Sequence, residues 1–325
     1  MIIISITKIK GQYKVMELNK TYEELLKEFL RTHPYKEVVV EGAKFHYLLC
    51  GKGDTTLIFL VGGMGLSFLY MPYITALESE YRILTFDYPY EYDDNSGLVE
   101  SISLLLKHLN IEKGIFVGSS YGGYVAQMIA RKYPELTGGM CLFSTASLSE
   151  MTVSELRAKY EKKAPLLLWI LRHVPYSWLK PVMIRSCMRM AKNTTPEVYS
   201  YTKDMFRFIY RDYTRELDLH MTKLLIDLMN QTPCTPEDFI YLNGRILLIL
   251  PENDESFTPE MQKDLISMMP ESVIVEGVDS GHISTLIEVD RYVEEIRSFI
   301  GGTLGRGNDS CDFCEQRRVS NGFSS

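Results

Sequence analysis

Short, uninterrupted apolar runs recur at Thr56–Val61, Arg82–Phe86, Gly114–Val117 and Met140–Phe143, separated by helical patterns at about 67–79, 97–109 and 121–132. A strand that is apolar on both faces must be covered on both faces, and the intervening helices supply that cover. This combination confines the chain to an α/β fold, a mostly parallel central sheet flanked by helices. The rhythm resumes at Arg245–Leu250, with a helix near Pro259–Met269, a strand at Val273–Glu276 and a helix from about Ile283 to Ile300.

Residues 146–240 interrupt the pattern. They hold helical stretches punctuated by Pro165, Pro175, Pro181, Pro196 and Pro233 and no convincing strand, which reads as an inserted all-helical cap. Upstream, Thr21-Tyr-Glu-Glu24 is a capping box that opens a helix to about Arg31, and residues 37–41 and 44–50 form a hairpin about Glu41-Gly42. The division expected is an N-terminal extension and helix at 1–36, with residues 1–15 loose. A core follows at 37–145 and 241–301, with the cap at 146–240 and a disordered tail at 302–325, where composition turns to Gly, Ser, Asn and Arg.

The strand at 114–117 runs into Gly118-Ser119-Ser120-Tyr121-Gly122 and then a helix. This is G-x-S-x-G in a strand–turn–helix context, where the glycines let strand and helix backbones approach closely and Ser120 is lifted to the sheet edge. A serine hydroxyl needs a base to become a nucleophile. Of six histidines, only His282 stands on a glycine-bearing loop after a predicted sheet strand; His33, His46, His108, His173 and His220 read as structural or surface residues.

With these motifs the chain resembles the α/β-hydrolase fold superfamily over most of residues 37–300. Four matches occur in the superfamily's order: Leu60-Val-Gly-Gly-Met-Gly65 at the oxyanion loop, the Gly118–Gly122 elbow, Pro251-Glu-Asn-Asp254 after a strand, and Asp279-Ser-Gly-His282 before a helix. The resemblance implies a catalytic triad of Ser120, Asp254 and His282, with an oxyanion hole from the backbones of Gly63 and Tyr121. Glu252, Glu255 and Asp279 are the rivals of Asp254, which matches the superfamily's spacing. Val61 stands where the superfamily has histidine, leaving Gly63 or Met64 as the second donor. That departure, with Asp87-Tyr-Pro-Tyr90, also resembles the maspardin branch, in which some members bind partners. Asp87 itself reads as an orienter of loop backbone.

The function these residues imply is serine hydrolysis of an ester or related acyl bond through an acyl-enzyme. The alternatives are a non-catalytic, receptor-like binding protein and an aminopeptidase of the same fold. Met64, Trp169 and Trp178 are the expected substrate contacts. No cofactor or metal is expected: Cys311-Asp-Phe-Cys314 is a lone pair of cysteines without further ligands nearby, and Gly62-Gly63-Met64-Gly65 lacks dinucleotide spacing.

A formal net charge of −7 argues against nucleic acid as a partner, leaving a small-molecule ester. The other four cysteines lie singly among apolar neighbours, no leader or membrane-spanning run is legible, and a cytoplasmic protein is expected. Oligomeric state is not legible. Between Arg157 and Lys192 nine basic residues face a single acid, Glu161, among large apolar groups. Two readings stay open: the apolar face covers the core and the charges are solvated, or the cap meets an anionic amphiphile or lipid surface.

Overall fold

The continuous apolar runs become strands buried along nearly their whole length, β4 (Thr56–Leu60), β6 (Gly114–Ser119) and β8 (Ile246–Pro251) being the clearest. The computed structural model describes residues 2–4, 20–192, 194–278 and 281–304. Asp279, Cys311, Cys314 and all but the first turn of the expected tail lie outside the described residues.

In chain order the elements are β1 (Ile2–Ile4), α1 (Tyr22–Thr32), β2 (Lys36–Val40), β3 (Ala43–Cys50), β4, α2 (Met71–Leu77), β5 (Arg82–Asp87), α3 (Asn95–His108), β6, α4 (Tyr121–Lys132) and β7 (Thr137–Phe143). Five helices follow without a strand: α5 (Glu150–Tyr160), α6 (Ala164–His173), α7 (Tyr176–Met190), α8 (Pro196–Asp212) and α9 (Arg215–Asp227). The chain then completes the sheet with β8, α10 (Pro259–Met268), β9 (Val273–Val278), α11 (Ser284–Ile287) and α12 (Val289–Phe299). The single helix expected over 283–300 is thus broken at Glu288.

The sheet order is β1-β9-β8-β7-β6-β4-β5-β3-β2, with β3 antiparallel to both its neighbours, β2 and β5, and every other pairing parallel. The chain passes from β4 to β5 on one side and then returns to lay β6 on the other. A sheet that reverses direction in this way leaves a crevice beyond the C-terminal ends of the two diverging strands. Leu60 and Gly118 are register partners there, so the loops after β4 and β6 open side by side.

The N-terminal segment is more integrated than its sequence suggests. The Thr21–Glu24 capping box is present, and the amphipathic α1 buries Tyr22, Leu26 and Phe29. Tyr22 meets Phe68 of the core and Phe208 of α8, so α1 joins the core to the helical insertion. Residues 2–4, expected to be loose, pair in parallel with β9 as the edge strand. Among the described residues no helix is long and apolar enough to cross a membrane.

Candidate active site

Ser120 sits between β6 and α4 with φ 53° and ψ −120°, a left-handed conformation costly for any residue with a Cβ. Its surroundings over-determine that strain. A Cβ on Gly118 would lie 2.4 Å from the carbonyl oxygen of Gly122, and one on Gly122 only 2.2 Å from that of Leu60. Strand and helix backbones therefore touch where only glycine fits. The backbone of Ser120 is held by Phe143, Gly123 and the Thr145 hydroxyl. Its Oγ has no hydrogen-bond partner among the described residues.

The β4 loop reaches the same place: a Cβ on Gly62 would be 3.8 Å from the Ser120 Cβ. Among the described residues no histidine bonds this loop, and tyrosines do so instead. Tyr70 donates to the Leu60 carbonyl at 2.8 Å, Tyr88 to that of Val61 at 3.0 Å, and Tyr213, just before α9, to that of Met64 at 3.0 Å. The Gly65 N–H closes the turn onto Gly62 at 2.9 Å. Burial pushes the Tyr70 and Tyr88 hydroxyls well above the usual tyrosine range, so both remain donors. The carbonyls of Leu60, Val61, Gly62 and Met64 are thus all engaged, whereas the N–H groups of Gly63 and Met64 have no acceptor among the described residues, and neither has that of Tyr121 at the start of α4. These tyrosines carry no local sequence signal, because each acts on a loop distant from its own neighbours.

Asp254 and His282 are brought together. His282 Nδ1 lies 3.1 Å from Asp254 Oδ2 and 3.2 Å from Oδ1. The Asp254 side chain is fully buried, and its Oδ1 also accepts the backbone N–H groups of Ser256 at 2.8 Å and Phe257 at 3.1 Å. The rivals turn away: Glu255 pairs with Lys192 at 3.1 Å, and Glu252 is exposed. His33 and His46 also meet carboxylates, Glu78 and Asp87, but those acids stay partly exposed. Asp87 accepts the backbone N–H and hydroxyl of Ser67, orienting the loop beyond Gly65.

Three contacts seat the His282 turn beside the elbow. Thr285, three residues on, accepts the Tyr73 hydroxyl on its carbonyl at 2.7 Å and, on its Oγ1, the hydroxyl of Ser119, adjacent to Ser120, at 3.5 Å. Phe257 lies between His282 and Tyr124 of α4, with ring centroids 5.4 and 6.3 Å apart. Asp254, His282 and the elbow of Ser120 thus share the C-terminal edge of the sheet.

The helical insertion closes over this edge through α9, with Leu225 against Gly63 and Met221 and Leu217 against Gly65. The phenol of Tyr121 runs beneath it to Asn95 Oδ1 at 2.5 Å, and Asn95 in turn donates to Leu224 and Asp227 of α9. Met64 lies within this contact. Trp169 and Trp178 do not: they are 54% and 70% exposed, and no hydrogen bond or ring contact joins them to Ser120 or His282 among the described residues. A cavity of about 550 Å³ lies elsewhere, beneath α1 among Tyr22, Phe29, Met71 and Met205. The donor atoms of His33, Cys50 and Glu78 fall within 4.8 Å of one another, but Cys50 pairs with Ile83 at the opposite end of β5 from the elbow.

Residues 57–296 match the alpha/beta hydrolase family. The uncharacterized hydrolase YugF of Bacillus subtilis (strain 168) is 23% identical over 287 residues, covering 82% of this chain and 98% of its own. Among solved structures, MGS-M2, an alpha/beta hydrolase enzyme from a Medee basin deep-sea metagenome library, superposes with a TM-score of 0.62 at 19% identity, over 85% of this chain and 99% of its own. The enol-lactonase from Burkholderia xenovorans LB400 has a TM-score of 0.62 at 18% identity, over 82% of this chain and 100% of its own.

Proposed function

This chain belongs to the alpha/beta hydrolase family, and we propose that it is a serine hydrolase that cleaves a small-molecule ester or related acyl bond. The observation that carries this reading is the strained Ser120 elbow beside a buried Asp254 whose carboxylate meets His282 Nδ1.

Asp254 fixes the imidazole with its proton on Nδ1, which leaves the Nε2 lone pair free as the base. As Ser120 Oγ attacks the acyl carbon, its proton passes to Nε2, and the imidazolium so formed faces the Asp254 carboxylate. Negative charge gathers on the former carbonyl oxygen, and the N–H groups of Tyr121 and of Gly63 in the tyrosine-braced loop are the donors for it. His282 then returns the proton to the leaving alkoxide, giving the alcohol and an acyl-Ser120. Water, deprotonated by the same Nε2, attacks the ester, and collapse of the second tetrahedral intermediate releases the acid and restores Ser120. The open contact of Ser120 Oγ in the free protein fits this scheme, since catalytic hydrogen bonds commonly tighten only with substrate bound.

The helices α5–α9 act as the cap in this reading, and Met64 is the substrate contact retained from the sequence. A fluorophosphonate probe tests the proposal. Native protein becomes labelled at Ser120, and the Ser120→Ala and His282→Ala variants do not. Folded native protein that resists the probe and turns over no acyl ester would make this a binding protein on a hydrolase fold.

A further inference from the structure

The chain has two tryptophans, and both are exposed on the consecutive helices α6 and α7. Leu166 and Trp169 are exposed on α6, three residues apart, and Trp178 and Val182 are exposed on α7, four residues apart. These spacings place each pair on one face of its helix. The opposite faces are occupied, because α6 packs on α9 and α7 on α8. Exposed large apolar side chains that recur on the free faces of two consecutive helices call for an occupant.

The charges carried by α6 and α7 themselves are of one sign. From Lys162 to Pro196 there are seven basic residues and no acid, in a chain whose net charge is −7. Lys192 pairs with Glu255, and Lys180 lies over Tyr176 and donates to the Arg211 carbonyl. Lys162, Lys163, Arg172, Arg185 and Arg189 form no ion pair among the described residues. On α8, Asp204 pairs with Arg207 and Asp212 with Arg211, and Glu197, in its first turn, forms no ion pair with those Lys and Arg side chains among the described residues.

We propose that the consecutive helices α6 and α7 form a docking surface for an anionic lipid bilayer, with Leu166, Trp169, Trp178 and Val182 entering the headgroup region and the unpaired Lys and Arg side chains meeting lipid phosphates. Tryptophan favours that depth because its ring is apolar and its N–H can still reach a polar partner. Basic stems lie along apolar surface while their heads reach the phosphates. The remaining, acidic surface is repelled by the same membrane, which selects this face. Docking would set α7, which touches the His282 turn, between the bilayer and the proposed active site. The proposal stands apart from hydrolysis and holds or fails without it.

Both tryptophans lie on the surface in question, so intrinsic tryptophan emission reports docking directly. The test mixes the full chain with vesicles of phosphatidylcholine alone and of equimolar phosphatidylcholine and phosphatidylglycerol. The expected result is co-sedimentation and a blue shift with the mixed vesicles only, reversed by added salt. Each basic residue at an anionic surface strengthens partitioning about fivefold, so Arg172→Glu with Arg185→Glu should weaken it by at least about 30-fold. Trp169→Ser with Trp178→Ser should abolish co-sedimentation, and Ser120→Ala should leave it unchanged. No binding by the native protein, equal binding to both vesicles, or a dimer in sedimentation equilibrium that buries the tryptophans would each overturn the proposal.

Discussion

The hydroxyl of Tyr213 donates to the carbonyl oxygen of Met64 at 3.0 Å, across 149 residues of sequence. It fastens the last turn of the proposed oxyanion loop to the helical insertion just ahead of α9. Tyr70 and Tyr88 hold the other end of the loop from within the core, so the geometry of the Gly63 N–H depends on both parts of the molecule.

Removing only that hydroxyl isolates its effect. Tyr213→Phe should lower kcat/KM for an acyl ester about tenfold, roughly 1.4 kcal/mol of transition-state stabilisation. The stability cost should be about 1 kcal/mol, one hydrogen bond. Steady-state kinetics with urea unfolding checks both, and unchanged kcat/KM with lost stability would confine Tyr213 to a structural role.

Asp254→Asn replaces an acceptor by a group that can present an N–H to His282 Nδ1. The imidazole then turns its proton to Nε2, where the base should be, and kcat should fall by about four orders of magnitude. Because the groups act as a unit, adding His282→Ala should cost little more. Multiplying losses in the double variant would show that Asp254 does not act through His282.

Ser120 pays in strain for its position, and glycine would not. Ser120→Gly should unfold at a higher temperature than Ser120→Ala, by about 1 kcal/mol in stability, although both are inactive. Calorimetry on the two variants decides it; equal stabilities would mean the elbow is relaxed.

His220 of α9 is buried, and neither ring nitrogen has a hydrogen-bond partner among the described residues. Burial lowers its pKa, with the nearby Asp93 opposing, so the folded state resists protonation of the ring more than the unfolded chain does. As pH falls from about 6.5, the unfolded chain takes up a proton that the folded chain refuses. Stability should therefore fall from near neutrality down to the folded-state pKa, and His220→Phe should flatten that slope. Urea midpoints measured between these limits check it, and identical pH profiles would remove His220 as the cause.

Much of this was legible in the chain itself. The strands of the core, the helix from Tyr121 to Lys132, the capping box at Thr21 and the glycines of the elbow all follow from periodicity or from steric limits a few residues wide. Asp254 and His282 were legible as candidates for the same reason, each on a loop after an apolar strand. Their contact needed the fold, since it depends on the parallel alignment of β8 and β9.

Other features lay beyond the reach of local pattern. The run from Leu166 to Leu171 is apolar on every side, so its spacing does not say which face is buried, and Trp169 could be read as a substrate contact. Only the packing of α6 on α9 and of α7 on α8 decided that both tryptophans face outward. The tyrosine braces of the Leu60–Gly65 loop and the burial of α1 against α8 are of the same kind. Periodicity fixes which elements form and which of their faces can be buried, because both depend on neighbouring residues. Which surfaces meet is a property of distant segments sharing space, and tertiary structure alone determined it.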